Sequence, residues 1–275
     1  MLAEPLFVIG AQRSGTTVVS RLLAELEDVY LTVNGKLLYY LIVWICRDPA
    51  AAKSAHPRLD EIAYSLRRKP IIGIAESGVD RMIEMLLTGF PPERFAGVTP
   101  FEITRTIWRE VYEELSEGKP VVGDKYNEYL LQLSEIANLF PCARYIFLHR
   151  DPLDAAESML RAFRGRPWVP ADAARALEKW TRWNECWLAA RGSIPSDRRL
   201  EIGFGNLTSA PREVFESIAA FLGIKCTSEF LRRVQNEIKS DRGGLGADLR
   251  IDWNKTRPFE PELRQVAAAF GYTLP

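Results

Sequence analysis

The chain is 275 residues long, with 36 Lys+Arg balanced by 36 Asp+Glu for a net charge of zero. That length suffices for one large domain with a substantial core, and balanced charge offers no field of one sign to recruit nucleic acid or an anionic membrane. Four scattered cysteines, Cys46, Cys142, Cys186 and Cys226, have neither metal-ligand spacing nor disulfide-framework density; with no basic signal-peptide region at the N-terminus, they predict a reduced, cytoplasmic protein.

Taken in chain order, short apolar runs alternate with amphipathic helices, the pattern of an α/β domain with a mostly parallel central β-sheet. The first strand is predicted over 5–9 ("PLFVI"). It feeds the turn "GAQRSGTT", residues 10–17, and then a helix with Val18, Val19, Leu22, Leu23 and Leu26 on one stripe. From 36 to 116 the chain reads as largely helical with proline-containing breaks. This stretch is expected to be an acceptor-side insertion in a single 1–275 domain. It contains "LLYYLIVWIC" (37–46), apolar all round, which predicts either a core segment or a pocket lining. At about half of the roughly 20 residues that a membrane span needs, this run is not membrane-spanning. Further strands are predicted at 71–75, 119–123, 144–149 and 199–203, their unbroken apolarity suiting burial on both faces. A helix is predicted over 127–140, and another starts at Asp151 and Pro152, an N-cap followed by a first-turn proline.

Chemistry concentrates at two places. The loop after the first strand has the register of the nucleotide-binding pattern G-x-x-x-x-G-K-[ST] at Gly10, Gly15 and Thr17, but Thr16 replaces the lysine. Backbone N–H groups there can converge on an anion at a helix N-terminus, helped by the hydroxyls of Ser14, Thr16 and Thr17 and the planar fork of Arg13. The missing lysine argues against ATP or GTP hydrolysis. Around 144–160 a buried strand delivers Arg150 to its carboxyl end, where open α/β sheets bind ligands, with Ser158 two helical turns on. Arg150 and Ser158 could hold one phosphate between them; alternatively Arg150 pairs with Asp151 or Asp154 and Ser158 is a surface residue.

Together, "GAQRSGTT" and "FLHRDPLDAAESM" resemble the 5′-phosphosulfate loop and the 3′-phosphate segment of the sulfotransferases that use 3′-phosphoadenosine 5′-phosphosulfate. Three further stretches fall in the same order: "GDKYNEYLLQLSEIANLFPCARYIFLHRDP", "EKWTRWNECW" and "IGFGNLTSAPREVFESIAAFLGI". The resemblance implies a P-loop-like three-layer fold and sulfuryl transfer, without a metal, to a small-molecule acceptor. It assigns Arg13, Ser14, Gly15, Thr16 and Thr17 to the phosphosulfate, Arg150 and Ser158 to the 3′-phosphate, and Lys125, with Arg13, to stabilising the transferring group. The missing lysine then makes sense, because a phosphosulfate has no γ-phosphate to hold. Competing readings are an atypical P-loop kinase and a catalytically silent nucleotide-binding protein of the same fold.

Two departures stand out. Phe204, Gly205 and Asn206 replace a tyrosine and acidic residues that would contact adenine. Asn34 and Lys36 stand where many relatives carry a catalytic glutamate. A hydroxyl acceptor normally needs a base, and the candidates are Glu76 after the 71–75 strand, Asp124, Glu102 and His56. His149 is predicted to pack at its strand end, opposite in direction to Arg150. Arg242, in the Gly-rich loop 240–248, either reaches the 3′-phosphate or belongs to a plain loop. The apolar run at 37–46 favours an aromatic or lipophilic acceptor. Oligomeric state is not legible.

Overall fold

A computed structural model describes residues 4–47, 55–68, 71–238 and 249–275. Five strands, β1 (Leu6–Gly10), β2 (Val29–Val33), β3 (Val121–Lys125), β4 (Arg144–His149) and β5 (Arg199–Gly203), form a parallel sheet in the order β2-β3-β1-β4-β5. Flanking helices include α1 (Thr16–Leu23), α2 (Leu37–Leu41), α3 (Ala55–Arg67), α4 (Glu76–Thr88), α5 (Pro100–Ser116), α6 (Leu133–Leu139), α7 (Pro152–Ala162) and α8 (Ala173–Arg191), with further helices running on to Ala269. The chain divides into two compact units, Met1–Val8 with Val19–Arg144, and Ile9–Val18 with Tyr145–Pro275.

In the first unit β3 pairs with β2 along its length, Val29 opposite Val121 through Val33 opposite Lys125, and with β1 at Leu6–Gly123 and Phe7–Asp124. Every residue of β3 is buried, as expected of a strand with neighbours on both sides and helices on both faces. The core there is aromatic: Trp108 stacks on Tyr112 with centroids 4.3 Å apart and meets Phe140 edge-on at 5.0 Å. Helix α5 carries Trp108 and Tyr112, and its start is fixed by a capping box between Thr99 and Glu102. In the second unit β4 and β5 pair from Tyr145–Arg199 to His149–Gly203. Phe147 of β4 stacks on Trp187 of α8 at 4.5 Å.

The strands expected at 144–149 and 199–203 form over those residues, and those expected at 5–9 and 119–123 form one and two residues later. The strand expected at 71–75 does not form. Ile72 makes a single antiparallel bridge to Val33, and Gly73 adopts φ +83°, where a side chain would strike the Leu31 carbonyl at 2.5 Å. The place beside β3 is taken by β2. The segment expected as one helix over 127–140 is a 3₁₀ turn, Asn127–Gln132, followed by α6. The run 37–46 is α2 followed by a π-helical turn, Ile42–Cys46, and it is striped rather than buried all round. Leu37, Leu38, Leu41, Ile42 and Ile45 are in the core, while Tyr39, Tyr40, Val43 and Trp44 are half-buried.

Candidate functional site

In the second unit the chain leaves β1 at Gly10 and turns through Arg13 into α1. Gly10 is obligatory by packing, since a Cβ would collide with the Leu148 carbonyl and lie 2.6 Å from Ser14 Oγ. Gly15 has φ +93°, and its Cβ would fall 2.8 Å from the Phe204 ring. Arg13 itself sits at φ +71°, a left-handed conformation that a non-glycine residue holds at a cost, as is common in ligand-binding turns. Ser14 Oγ donates to the Ala11 carbonyl at 2.7 Å and so braces the turn. Ser14 and Thr16 are both buried.

Arg13 Nε donates to Ser158 Oγ at 3.0 Å. Ser158 is therefore a buried member of the site rather than a surface residue, and its partner is the loop arginine. Arg150, also buried, lies over the Phe204 ring with its guanidinium carbon 4.2 Å from the centroid, and its NH2 is 3.9 Å from Asp154. The indole of Trp180, on α8, donates to the Arg150 carbonyl at 3.0 Å. Asp151 caps α7 by accepting from the Leu153 and Asp154 amides, so it is committed to the helix start. Partial desolvation first, then the positive charges of Arg150 and Arg161, push the Arg13 guanidinium below its ordinary pKa. A cluster of like charges so arranged is relieved by an anion. His149 packs at its strand end as expected. Its Nδ1 hydrogen-bonds the Tyr272 hydroxyl at 2.9 Å, its ring stacks on Phe270 at 4.6 Å, and burial lowers its pKa to about 4.

In the first unit Lys125 closes β3. It is buried, and its Nζ donates to Asn127 Oδ1 at 2.7 Å. Its neighbour Asp124 is fully buried and saturated: Thr32 Oγ1 (2.8 Å) and the Gly35 amide (3.1 Å) donate to Oδ1, and the Tyr129 hydroxyl (2.6 Å) donates to Oδ2. Tyr112 completes the network at Thr32, 2.8 Å away. Desolvation raises the Asp124 pKa, and the hydrogen bonds of Tyr129, Thr32 and the Gly35 and Lys125 amides oppose it. This carboxylate holds the end of β3 to the turn Asn34–Gly35–Lys36. That turn is tight: Asn34 and Lys36 have φ +63° and +60°, and the Asn34 amide donates to the Lys125 carbonyl at 2.7 Å. Lys36 lies over the Tyr126 ring at 5.6 Å.

The base candidates read from sequence fare poorly. Asp124 is a structural hub enclosed by its donors. Glu102 is exposed and spent on the Thr99 cap. Glu76 opens α4 as an exposed residue rather than following a strand. The His56 side chain and Arg242 lie outside the described residues. The sequence reading missed Thr32, Tyr112 and Tyr129; no local pattern marks them, since only the register of β2 on β3 and the packing of α5 unite them.

Fold and sites together define an α/β protein with a tight glycine-bearing turn, gathered beside the buried Arg150, between its first strand and α1. The sequence profile of the Sulfotransferase family matches residues 5–228, and the chain belongs to that family. Among solved structures it is similar to the sulfotransferase domain of the Synechococcus PCC 7002 olefin synthase, with TM-score 0.62 and 20% identity over 100% of this chain and 97% of that one. It is also similar to the sulfotransferase domain of the curacin biosynthetic pathway (0.64, 17%, 100% and 99%) and to sulfotransferase STF9 from Mycobacterium avium (0.58, 18%, 100% and 78%). At these identities the likeness shows the fold. No curated protein sequence matches significantly. Among the described residues, no helix is long and apolar enough to cross a membrane.

Proposed function

We propose that the protein moves a sulfuryl group from 3′-phosphoadenosine 5′-phosphosulfate to a hydroxyl, or an amine, of a small aromatic or lipophilic acceptor. The four free cysteines suit a cytoplasmic setting. The observation that carries the donor reading is the arginine cluster of the second unit, in which Arg13 is bonded to Ser158 and repelled by Arg150 and Arg161. Its residues fit the donor. Arg13, Thr16, Thr17 and the Gly15 N–H would hold the phosphosulfate, with Ser14 bracing the turn through its amide and hydroxyl on the Ala11 carbonyl, and Arg150 and Ser158 would hold the 3′-phosphate. Arg150 on Phe204 presents a flat cationic and aromatic surface suited to a nucleotide.

The donor supplies an activated sulfuryl group whose release leaves negative charge on a phosphate oxygen. Lys125 would meet that charge with its Nζ, oriented by Asn127, and preorganised cations of this kind give the larger part of such catalysis. The tie from Asp124 to Gly35 keeps the end of β3 rigid, so the lysine is held without cost at the moment of reaction. For the acceptor, the half-buried aromatics of the first unit support an apolar, ring-bearing molecule. Tyr40 stacks on Trp44 at 4.8 Å, and Tyr39 meets Tyr126 edge-on at 5.2 Å.

A donor-consumption assay over phenols, long-chain alcohols, hydroxylated natural products and simple saccharides tests this reading. Phenols and lipophilic alcohols are expected to outperform saccharides. Saccharide preference would refute the acceptor half, and no transfer to any member would refute the whole.

A further inference from the structure

We propose that Trp180 is a positioning residue for the donor: its indole N–H fixes the backbone at Arg150 and so sets how tightly the 3′-phosphate is held. The inference rests on the reading of Arg150 as a ligand of that phosphate and adds the group that keeps the arginine in place.

Arg150 stands where regular backbone structure changes over. It follows the last pair of the β4–β5 ladder, His149–Gly203, and precedes Asp151, whose carbonyl accepts the first hydrogen bond of α7 from the Ala155 amide at 2.9 Å. A buried carbonyl at such a junction needs a donor. Trp180 provides one: its Nε1 donates at 3.0 Å, and both residues are buried. At the other end of the residue the guanidinium lies over the Phe204 ring, 4.2 Å from its centroid. Arg150 is thus held twice, at its main chain by Trp180 and at its side chain by Phe204. Without the first hold, the side chain would swing from a looser Cα.

The spacing of tryptophans on α8 fits this role. Trp180 and Trp187 are seven residues apart, which puts them on one face of the helix, about 10.5 Å apart along its axis. Phe147 and Arg150 are three residues apart, about 10 Å along an extended chain. Trp187 stacks on Phe147 with centroids 4.5 Å apart and planes 8° from parallel, while Trp180 reaches Arg150. α8 therefore runs antiparallel to β4 and meets it at two points of matched spacing. Trp187 packs on the body of the strand; Trp180 bonds the residue at its exit.

Trp180→Phe keeps a buried ring and removes the N–H. Calorimetry against adenosine 3′,5′-bisphosphate and adenosine 5′-phosphate separates the 3′-phosphate from the rest of the nucleotide. Affinity for the bisphosphate should fall about tenfold, because a charge-assisted contact is misplaced rather than deleted, and affinity for the 5′-phosphate should be unchanged. In turnover the KM for the donor should rise by the same factor at constant kcat, the mark of a ground-state contact. In an Arg150→Ala background the same substitution should change neither affinity, as coupling through Arg150 requires. Trp187→Phe, a packing control, should lower the melting temperature and leave the ratio of the two affinities at its wild-type value. If Trp180→Phe does not fold, 3-benzothienylalanine at position 180 keeps the bicyclic shape with sulfur in place of the N–H and gives the same readouts. An unchanged ratio in the position-180 variant, an equal loss in the Arg150→Ala background, or an equal loss in Trp187→Phe would overturn the positioning role and leave the donor reading standing. A wild-type protein that does not bind the bisphosphate would overturn both.

Discussion

The two units put opposite chemistry to use. In the second, Arg13 and Arg150 are held in place by a serine hydroxyl, an aromatic ring and a tryptophan indole, and Arg161 adds to the positive charge that Arg13 feels. In the first, a buried carboxylate gathers four donors and fastens a strained turn to the end of a strand. On the proposed function the positive charge of the second unit, which Asp154 offsets in part, meets a ligand, while the buried charge of the first is held by internal hydrogen-bond donors and serves to fix Lys125. A cation of the second unit should therefore govern affinity, and the cation of the first should govern rate.

The largest effect is expected at Lys125. Lys125→Ala should lower turnover by about 100-fold or more and leave bisphosphate affinity nearly unchanged, because its work is done in the transition state. Single-turnover rates and calorimetry on the same variant measure both quantities. Loss of affinity with an intact turnover number would invert the contrast. Next comes Arg150→Ala, which removes charge-assisted hydrogen bonds worth about 1.5–3 kcal/mol and should weaken bisphosphate binding roughly 10- to 100-fold. A variant that binds as well as wild type would show that the 3′-phosphate lies elsewhere.

Much of the second unit was legible because its chemistry is local in sequence. Gly10, Arg13, Ser14, Gly15 and Thr16 are adjacent, and Arg150 is announced by the apolar strand before it and the Asp151–Pro152 helix start behind it. The hydrogen bond from Arg13 to Ser158 was not legible, since it spans 145 positions. The first unit was read less well. β2 is five residues long and gains its place only by parallel pairing with β3, 92 residues later at Thr32 and Asp124. The apolar run at 71–75 had a better strand composition, but the left-handed Gly73 ends it after one bridge. Asp124 was read as a candidate base because sequence shows a carboxylate beside a lysine and cannot show the donors that surround it.

His149 sharpens the contrast from the side of stability. Its pKa is lowered from 6.5 to about 4 by burial, so between those values the unfolded chain binds the proton more readily than the folded one. The stabilisation is complete above pH 6.5 and is lost as the pH falls through about 4. It amounts to about 3 kcal/mol at most. His149→Phe keeps the stack on Phe270 and should flatten the melting-temperature profile between pH 7 and 4 relative to wild type. An identical profile would mean that the histidine does not titrate as its burial requires. The smallest effect is expected from Gly35→Ala, whose Cβ would lie 2.6 Å from both Asp124 Oδ1 and Thr32 Oγ1. Overpacking of this kind costs roughly 1–2 kcal/mol, and urea titration should show it as a lowered midpoint. A midpoint equal to wild type would show that the turn gives way easily, and Asp124 would then lose its positioning role.

The central claim, that the arginine cluster of the second unit receives a doubly phosphorylated adenosine donor, is tested most directly by ligand-induced stabilisation. Adenosine 3′,5′-bisphosphate, ATP with Mg²⁺ and GTP with Mg²⁺ are each added to the wild-type protein, and the melting temperature is recorded. A ligand at 100 times its dissociation constant adds about 2.7 kcal/mol, so a bound nucleotide should raise the transition clearly. The account predicts a rise with the bisphosphate alone. Stabilisation by ATP with Mg²⁺ and none by the bisphosphate would contradict it.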